Sequence, residues 1–156
     1  MVARWASPAT ATSATCGRSG GGGLVSTLAD YLRFTRMMLN GGELDGVRIL
    51  GRKTIELMTS NHLPRGAQLS DMATGYGEVG FDGMGFGLTM AVTEGPVQTA
   101  RVGSAGEYMW GGAASTTFWN DPSEDLTVVF MVNFMMSGTF DFGGQLRTLV
   151  YPAIID

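Results

Sequence analysis

Ser19 has the sequence surroundings that most suggest a nucleophile. Residues 17–21 read Gly-Arg-Ser-Gly-Gly, which fits the pattern G-x-S-x-G, where a sharp turn between a strand and a helix exposes a reactive serine. Asp30 or Asp45, followed by His62, would complete a triad in the chain order serine, acid, histidine. One hypothesis is therefore a minimal esterase in which Ser19 attacks an acyl carbon and His62 serves as its base.

The neighbouring sequence does not supply the elements that such a turn requires. Residues 10–16 contain only Ala, Ser, Thr and Cys instead of an apolar strand, and more glycine follows instead of a helix. A flexible glycine loop that happens to contain Ser19 is therefore the favoured interpretation. His62, the only histidine, is expected at a helix C-terminus, where histidines commonly cap carbonyl groups. Both residues are weak catalytic candidates.

Other kinds of site lack the residues they need. One cysteine and one histidine cannot supply the usual zinc ligand sets, so we predict no metal site. The sequence contains no G-x-x-x-x-G-K-[ST] phosphate loop, and no cofactor is implied. Ten Lys and Arg are outnumbered by 14 Asp and Glu, which argues against nucleic acid as a partner.

Length and composition indicate one small globular domain. The chain has 156 residues, of which 24 are Gly and only 15% are charged. Its longest apolar stretch, residues 126–136, falls short of the roughly 18–20 residues that a bilayer requires, so we expect no membrane span. Residues 1–18 lack the apolar segment of a secretory signal, which makes the cytoplasm the default location. We expect a disordered or poorly packed lead-in over residues 1–18 and a single domain over 19–156.

Hydrophobic periodicity predicts helices near both ends and strands between them. A capped helix is expected from residue 28 to 39 and a shorter one over 52–60, with a glycine-rich loop over 65–85. A last helical stripe covers residues 145–155, where Pro152 argues against a straight helix. Strand patterns occur at residues 86–92, 98–102, 113–119 and 126–134. This order indicates an α+β fold with an antiparallel sheet of three to five strands and flanking helices.

A more specific signal comes from four separated blocks of sequence, at residues 19–34, 39–50, 84–88 and 106–122. In order and spacing they resemble the C-terminal part of β-lactamase-like serine hydrolases, which share the fold of class C β-lactamases and penicillin-binding proteins. Within that superfamily the blocks are most similar to the family VIII carboxylesterases. The resemblance extends from Ser19 to Asp156 and implies that the sheet is part of a β-lactamase/transpeptidase-like fold.

The resemblance also implies site residues. These enzymes use a serine and a lysine in S-x-x-K, a tyrosine in Y-x-N or a similar motif, and a third motif on a strand that lines the pocket, often W-G-G in the esterases. Trp110, Gly111 and Gly112 match the third motif, and the Ala113 amide would then be one oxyanion donor. The sequence contains neither S-x-x-K nor Y-x-N.

The resemblance therefore implies the C-terminal portion of a serine esterase that acts on small acyl esters. This portion would supply a pocket wall and an oxyanion contact, and a missing N-terminal segment would supply the nucleophile. We expect no such mechanism in the chain by itself. Besides the minimal esterase, a second alternative is a non-catalytic module that forms a homo-oligomer through an exposed sheet surface around residues 128–132.

Overall fold

A computed structural model describes residues 26–72, 81–135 and 137–155 of the protein. Ser19, the four-glycine run that follows it and the expected lead-in over residues 1–18 lie outside the described residues. None of the helices in the described ranges combines the length and apolar character needed to cross a bilayer.

The first described elements follow the predictions from local sequence. Helix α1 (Leu28–Leu39) begins after Thr27, whose side-chain oxygen accepts a hydrogen bond from the Asp30 amide at 3.2 Å. This contact satisfies one of the free amides at the helix N-terminus, as the capping pattern predicts. A small hairpin follows, with strands β1 (Glu43–Leu44) and β2 (Val47–Arg48) joined by a tight turn. Helix α2 (Arg52–Met58) comes next.

Five strands form the main sheet, and every neighbouring pair is antiparallel. The strands lie side by side in chain order. They are β3 (Met84–Phe86), β4 (Ala91–Thr93), β5 (Tyr108–Gly111), β6 (Thr117–Asp121) and β7 (Leu126–Phe130). Short helices α3 (Leu69–Met72) and α4 (Pro96–Thr99) lie in the connections. The observed architecture confirms the predicted α+β class and the antiparallel sheet.

Several element boundaries differ from the sequence predictions. The strand expected over residues 98–102 overlaps α4 instead, which begins with Pro96 at its first position, where the missing amide of proline costs nothing. The strand expected over 86–92 is two strands, β3 and β4, joined by a reversal of the chain. The strand expected over 113–119 begins only at Thr117. Short segments without a clear hydrophobic period do not distinguish strands from helices or turns, which accounts for these errors.

Helix α1 covers one face of the sheet, and this interface contains the main core. Its buried apolar residues come from α1, α2 and the sheet region and are Met37, Met38, Ile55, Met90, Tyr108 and Phe118. The fully buried Asn120 side chain of β6 donates hydrogen bonds to the Thr35 carbonyl of α1 at 2.8 Å and to the Tyr108 hydroxyl at 2.9 Å. These bonds fix the position of the helix along the strands.

Helix α5 (Phe142–Val150) and a 3-10 turn (Tyr151–Ala153) pack on the opposite face. As the presence of Pro152 predicts, the α-helix ends before the proline. Four side chains form an ionic cluster here, namely the buried Glu107, Asp121 and Arg147 and the half-buried Tyr151. Arg147 pairs with both carboxylate oxygens of Glu107. The Tyr151 hydroxyl lies 2.8 Å from carboxylate oxygens of both Glu107 and Asp121.

We predict that Arg147→Met strongly destabilises the fold. Met keeps much of the packing volume but leaves the Glu107 carboxylate buried without its cation, which costs about 3–5 kcal/mol of unfolding free energy. Arg33→Met is the matched control, since Arg33 pairs with Asp45 at 2.8 Å on the surface and such pairs contribute at most about 1 kcal/mol. Chemical denaturation measures both effects, and equal small losses would contradict the prediction.

Tyr151 gives a second prediction, for alkaline pH. Burial, and then the charge of Glu107, raise the pKa of the Tyr151 hydroxyl above its ordinary value. The folded state therefore keeps this proton when the unfolded chain has lost it, so the stabilisation is complete below about pH 10 and declines above it. Tyr151→Phe should make the decline of the unfolding free energy with pH shallower by about 1.4 kcal/mol per pH unit, which is the slope that one proton contributes.

The measurement is the free energy of unfolding of the parent and of Tyr151→Phe from pH 8 to pH 12, a range that brackets the ordinary tyrosine pKa of about 10. Burial also raises the pKa of Tyr31 and Tyr108, but both proteins retain these residues. The difference between the two curves therefore isolates Tyr151, and parallel curves would refute the assignment.

Candidate functional site

The residues that match W-G-G lie at the end of the β5–β6 hairpin. Trp110 pairs with Phe118, and the last strand pair is Gly111 with Thr117. The chain then reverses through residues 112–116, which we call the hairpin turn. Its ends are joined by a hydrogen bond from the Gly112 amide to the Thr116 carbonyl at 2.9 Å. The structure thus places Trp110, Gly111, Gly112 and Ala113 together at one exposed corner of the sheet.

Two phenylalanines hold the Trp110 ring in place. Phe81 stacks on it, with ring centroids 5.9 Å apart and planes 19° apart, and Phe86 of β3 meets it edge-on at 5.2 Å. Aromatic pairs at these distances stabilise their arrangement beyond simple burial. The indole is therefore a rigid wall and not a mobile surface side chain.

A shallow apolar cavity lies beside Trp110 and has a volume of about 120 Å³. Residues of α1, β5, β6 and β7 form its walls, and Gly111, Thr116 and Thr117 bring it to the base of the hairpin turn. The side chains that line it include Tyr31, Trp110, Phe118, Val129 and Met131. Since a dry apolar cavity of about 150 Å³ can hold benzene, this one has room for a small alkyl group.

The Ala113 amide is available for a hydrogen bond to an external group. Ala113 is exposed, and none of the residues in the described ranges provides an acceptor for its N–H group or for that of Ala114. An amide N–H held in a fixed direction can bind a carbonyl oxygen that gains negative charge. The hairpin turn thus combines a free donor with an adjacent apolar cavity.

His62 contacts the end of α2 and strand β3. Its ring nitrogen Nε2 lies 2.7 Å from the Leu57 carbonyl oxygen at the end of α2, and its own amide donates to the Phe86 carbonyl. These are the contacts that a capping role predicts. Within the described part of the chain, Asp30 is bound to Thr27 and Asp45 to Arg33, and neither is bonded to His62. The pairing of Ser19 with His62 stays a prediction, because Ser19 lies outside the described residues.

Sequence reasoning missed several residues that shape this corner. Phe81 and Tyr31 approach Trp110 or its cavity from distant parts of the chain, and no local pattern connects them. Ser115, whose contacts brace the hairpin turn, was also missed. Its location between two alanines and two threonines in the block that contains W-G-G was the only available signal. Across residues 26–72, 81–135 and 137–155, no three His, Cys, Asp or Glu side chains are grouped to hold a metal ion.

Comparisons with known proteins agree with this fold. The β-lactamase family model matches residues 1–150, so the chain belongs to the β-lactamase family. It is 36% identical over 118 residues to protein Rv1367c of Mycobacterium tuberculosis strain H37Rv and, to the same extent, to protein MT1414 of strain CDC 1551. Each match covers 72% of this chain and 28% of the relative.

Two solved structures show the same fold. EstCE1, described as a hydrolase with promiscuous acyltransferase activity, is 28% identical, with a TM-score of 0.69 and coverage of 89% of this chain and 33% of its own. Unliganded simvastatin synthase (LovD) from Aspergillus terreus is 18% identical, with a TM-score of 0.62 and coverage of 81% and 33%; this likeness concerns the fold alone.

The chain therefore spans about a third of the length of each solved structure. It spans 28% of the length of the curated relatives. The comparisons confirm the predicted membership of the β-lactamase-like serine hydrolase superfamily. The narrower assignment to the family VIII carboxylesterases stays a prediction.

Proposed function

We propose that this chain is the C-terminal portion of a serine carboxylesterase and supplies one wall of the acyl pocket together with an oxyanion donor. The observation that carries the proposal is the Ala113 amide, which has no acceptor in the described part of the chain and sits on the hairpin turn after Trp110-Gly111-Gly112. The similarity to EstCE1, a hydrolase with promiscuous acyltransferase activity, supports acyl transfer as the reaction class.

In this proposal the chain stabilises charge and orients the substrate. A serine from an S-x-x-K motif attacks the ester carbonyl, the alcohol leaves, and water then hydrolyses the acyl-serine. During both steps the carbonyl oxygen gains negative charge, and the Ala113 N–H donates a hydrogen bond to it. The cavity beside Trp110 holds the alkyl part of a small acyl ester. Since this chain contains no S-x-x-K, the nucleophile and its base come from a segment outside it.

We predict that the purified chain does not hydrolyse p-nitrophenyl butyrate faster than buffer. One oxyanion donor without an activated nucleophile leaves the covalent step without its attacking group. The assay is release of p-nitrophenol, with the heat-denatured chain as a control. Turnover that is abolished by a serine-directed phosphonate would contradict the proposal.

Ser19→Ala separates the proposal from the minimal esterase that uses Ser19 and His62. Should the parent show turnover, loss of that turnover in Ser19→Ala would support the minimal esterase, and equal rates would exclude Ser19. The contacts of His62 with Leu57 and Phe86 support a structural role for this histidine.

A second candidate function is self-association, and exposed apolar side chains favour it. Among the described strands, β7 lies at one edge of the main sheet, and the segment after it exposes Met131, Phe134, Met135 and Phe140. The five residues of β7 are Leu, Thr, Val, Val and Phe, so the edge has neither the charges nor the proline that usually prevent pairing with another chain.

Sedimentation velocity over a range of concentrations tests this candidate. We predict that the parent forms dimers or larger species, and that Met135→Asp weakens association because it places a charge in the apolar patch. Val97→Asp is the matched control, since Val97 is 86% exposed on α4, away from β7. A clean monomer at high concentration would exclude a homo-oligomer as the function.

A further inference from the structure

Three successive carbonyl groups of the hairpin turn are held by hydrogen bonds. The Gly112 carbonyl accepts from the Ser115 amide at 2.9 Å, the Ala113 carbonyl from the Ser137 amide at 3.2 Å, and the Ala114 carbonyl from the Phe134 amide at 3.2 Å. The last two bonds join the turn to the segment that follows β7. The turn is therefore braced from outside the hairpin.

The first of these bonds determines where the Ala113 N–H points. In a planar trans peptide the carbonyl and the N–H group point in opposite directions. The Gly112 carbonyl and the Ala113 amide belong to one peptide, and the carbonyl is directed toward Ser115 within the turn. The Ala113 N–H must then point away from the interior of the turn, where an external oxygen can reach it.

Ser115 is the residue that links both sets of contacts. Its hydroxyl donates to the Phe134 carbonyl at 2.8 Å, in addition to the bond that its amide donates to Gly112. Its backbone has φ of +62°, in the left-handed region that non-glycine residues rarely occupy. A side chain that bonds to a neighbouring segment explains why serine, and not glycine, is present at this strained position.

We propose that Ser115 is a positioning residue, whose hydroxyl anchors the hairpin turn to the segment after β7 and so directs the Ala113 N–H toward the acyl group. This inference rests on the proposed function of Ala113 as an oxyanion donor. A positioning role means that the loss of the Ser115 hydroxyl weakens anion binding at the Ala113 amide. A purely structural role would leave anion binding unchanged.

The test uses the whole chain, labelled with ¹⁵N, and butylphosphonate as the probe. Butylphosphonate carries a tetrahedral anion like the reaction intermediate and an alkyl tail small enough for the cavity beside Trp110. In the parent, it should shift the Ala113 amide resonance in a saturable way. Hydrogen exchange of the Phe134 and Ser137 amides, measured on the same sample, reports the bracing of the hairpin turn.

Three variants isolate the hydroxyl. Ser115→Gly removes it at a backbone angle that glycine adopts without strain, and should weaken butylphosphonate binding and speed exchange of Phe134 and Ser137 about two- to tenfold, the range that one net hydrogen bond implies. Ser115→Asn should restore both, because asparagine tolerates this angle and its side-chain amide can donate to Phe134. Ser60→Ala is the control. The Ser60 hydroxyl also donates to a backbone carbonyl, but this carbonyl is that of Glu56 in α2 and not part of the hairpin turn.

The outcomes separate the two proposals. No shift of the Ala113 resonance in the parent would overturn the proposed oxyanion role itself. A normal shift that Ser115→Gly leaves unchanged would overturn only the positioning role of Ser115, as would a loss that Ser115→Asn fails to restore. Weakened binding in Ser115→Gly, recovery in Ser115→Asn and parent-like binding in Ser60→Ala would support it.

Discussion

The buried carboxylate of Glu107 imposes the strictest constraint on this fold. A charge removed from water needs a partner of opposite charge and a full set of hydrogen bonds, or it costs several kcal/mol. Arg147 of α5 meets this need, and its guanidinium also lies 4.4 Å from the centre of the Trp119 ring. Because Glu107 directly precedes β5, the ion pair ties the C-terminal helix to the strand that leads into the candidate site.

Further hydrogen bonds connect the Glu107–Arg147 ion pair to the rest of the sheet. Tyr151 connects Glu107 with Asp121 at the end of β6, so the two strands of the site hairpin share one ionic cluster. On the other face, Asn120 bonds to Tyr108 and to the Thr35 carbonyl of α1. The β5–β6 hairpin is therefore fixed from both faces, while its turn extends to the surface. A donor held in one direction by a rigid scaffold is what charge stabilisation requires.

Different parts of the fold could be predicted from sequence to different degrees. The start of α1 was predictable because Thr27 and Asp30 interact within one turn of helix. The segment over residues 98–102 was predicted wrongly, because a short segment without a clear hydrophobic period does not reveal whether Pro96 begins a helix before it. Strand β5 had no period-two pattern to reveal it, and only the W-G-G resemblance indicated a strand at Trp110. The aromatic contacts of that residue with Phe81 and Phe86 join segments that no local pattern relates.

By itself, the sequence determined the α+β class, the capped first helix and the match of residues 110–112 to a pocket motif, because these depend on residues that are close together along the chain. Only the tertiary structure decided that Glu107, Asp121 and Arg147 are buried and that the half-buried Tyr151 joins them, since the sequence alone does not distinguish buried charged residues from solvated ones. It also decided that the Ala113 amide faces outward beside an apolar cavity. That direction follows from the bond between the Gly112 carbonyl and the Ser115 amide within the hairpin turn, and the turn itself is joined to the segment after β7 only when the sheet has formed.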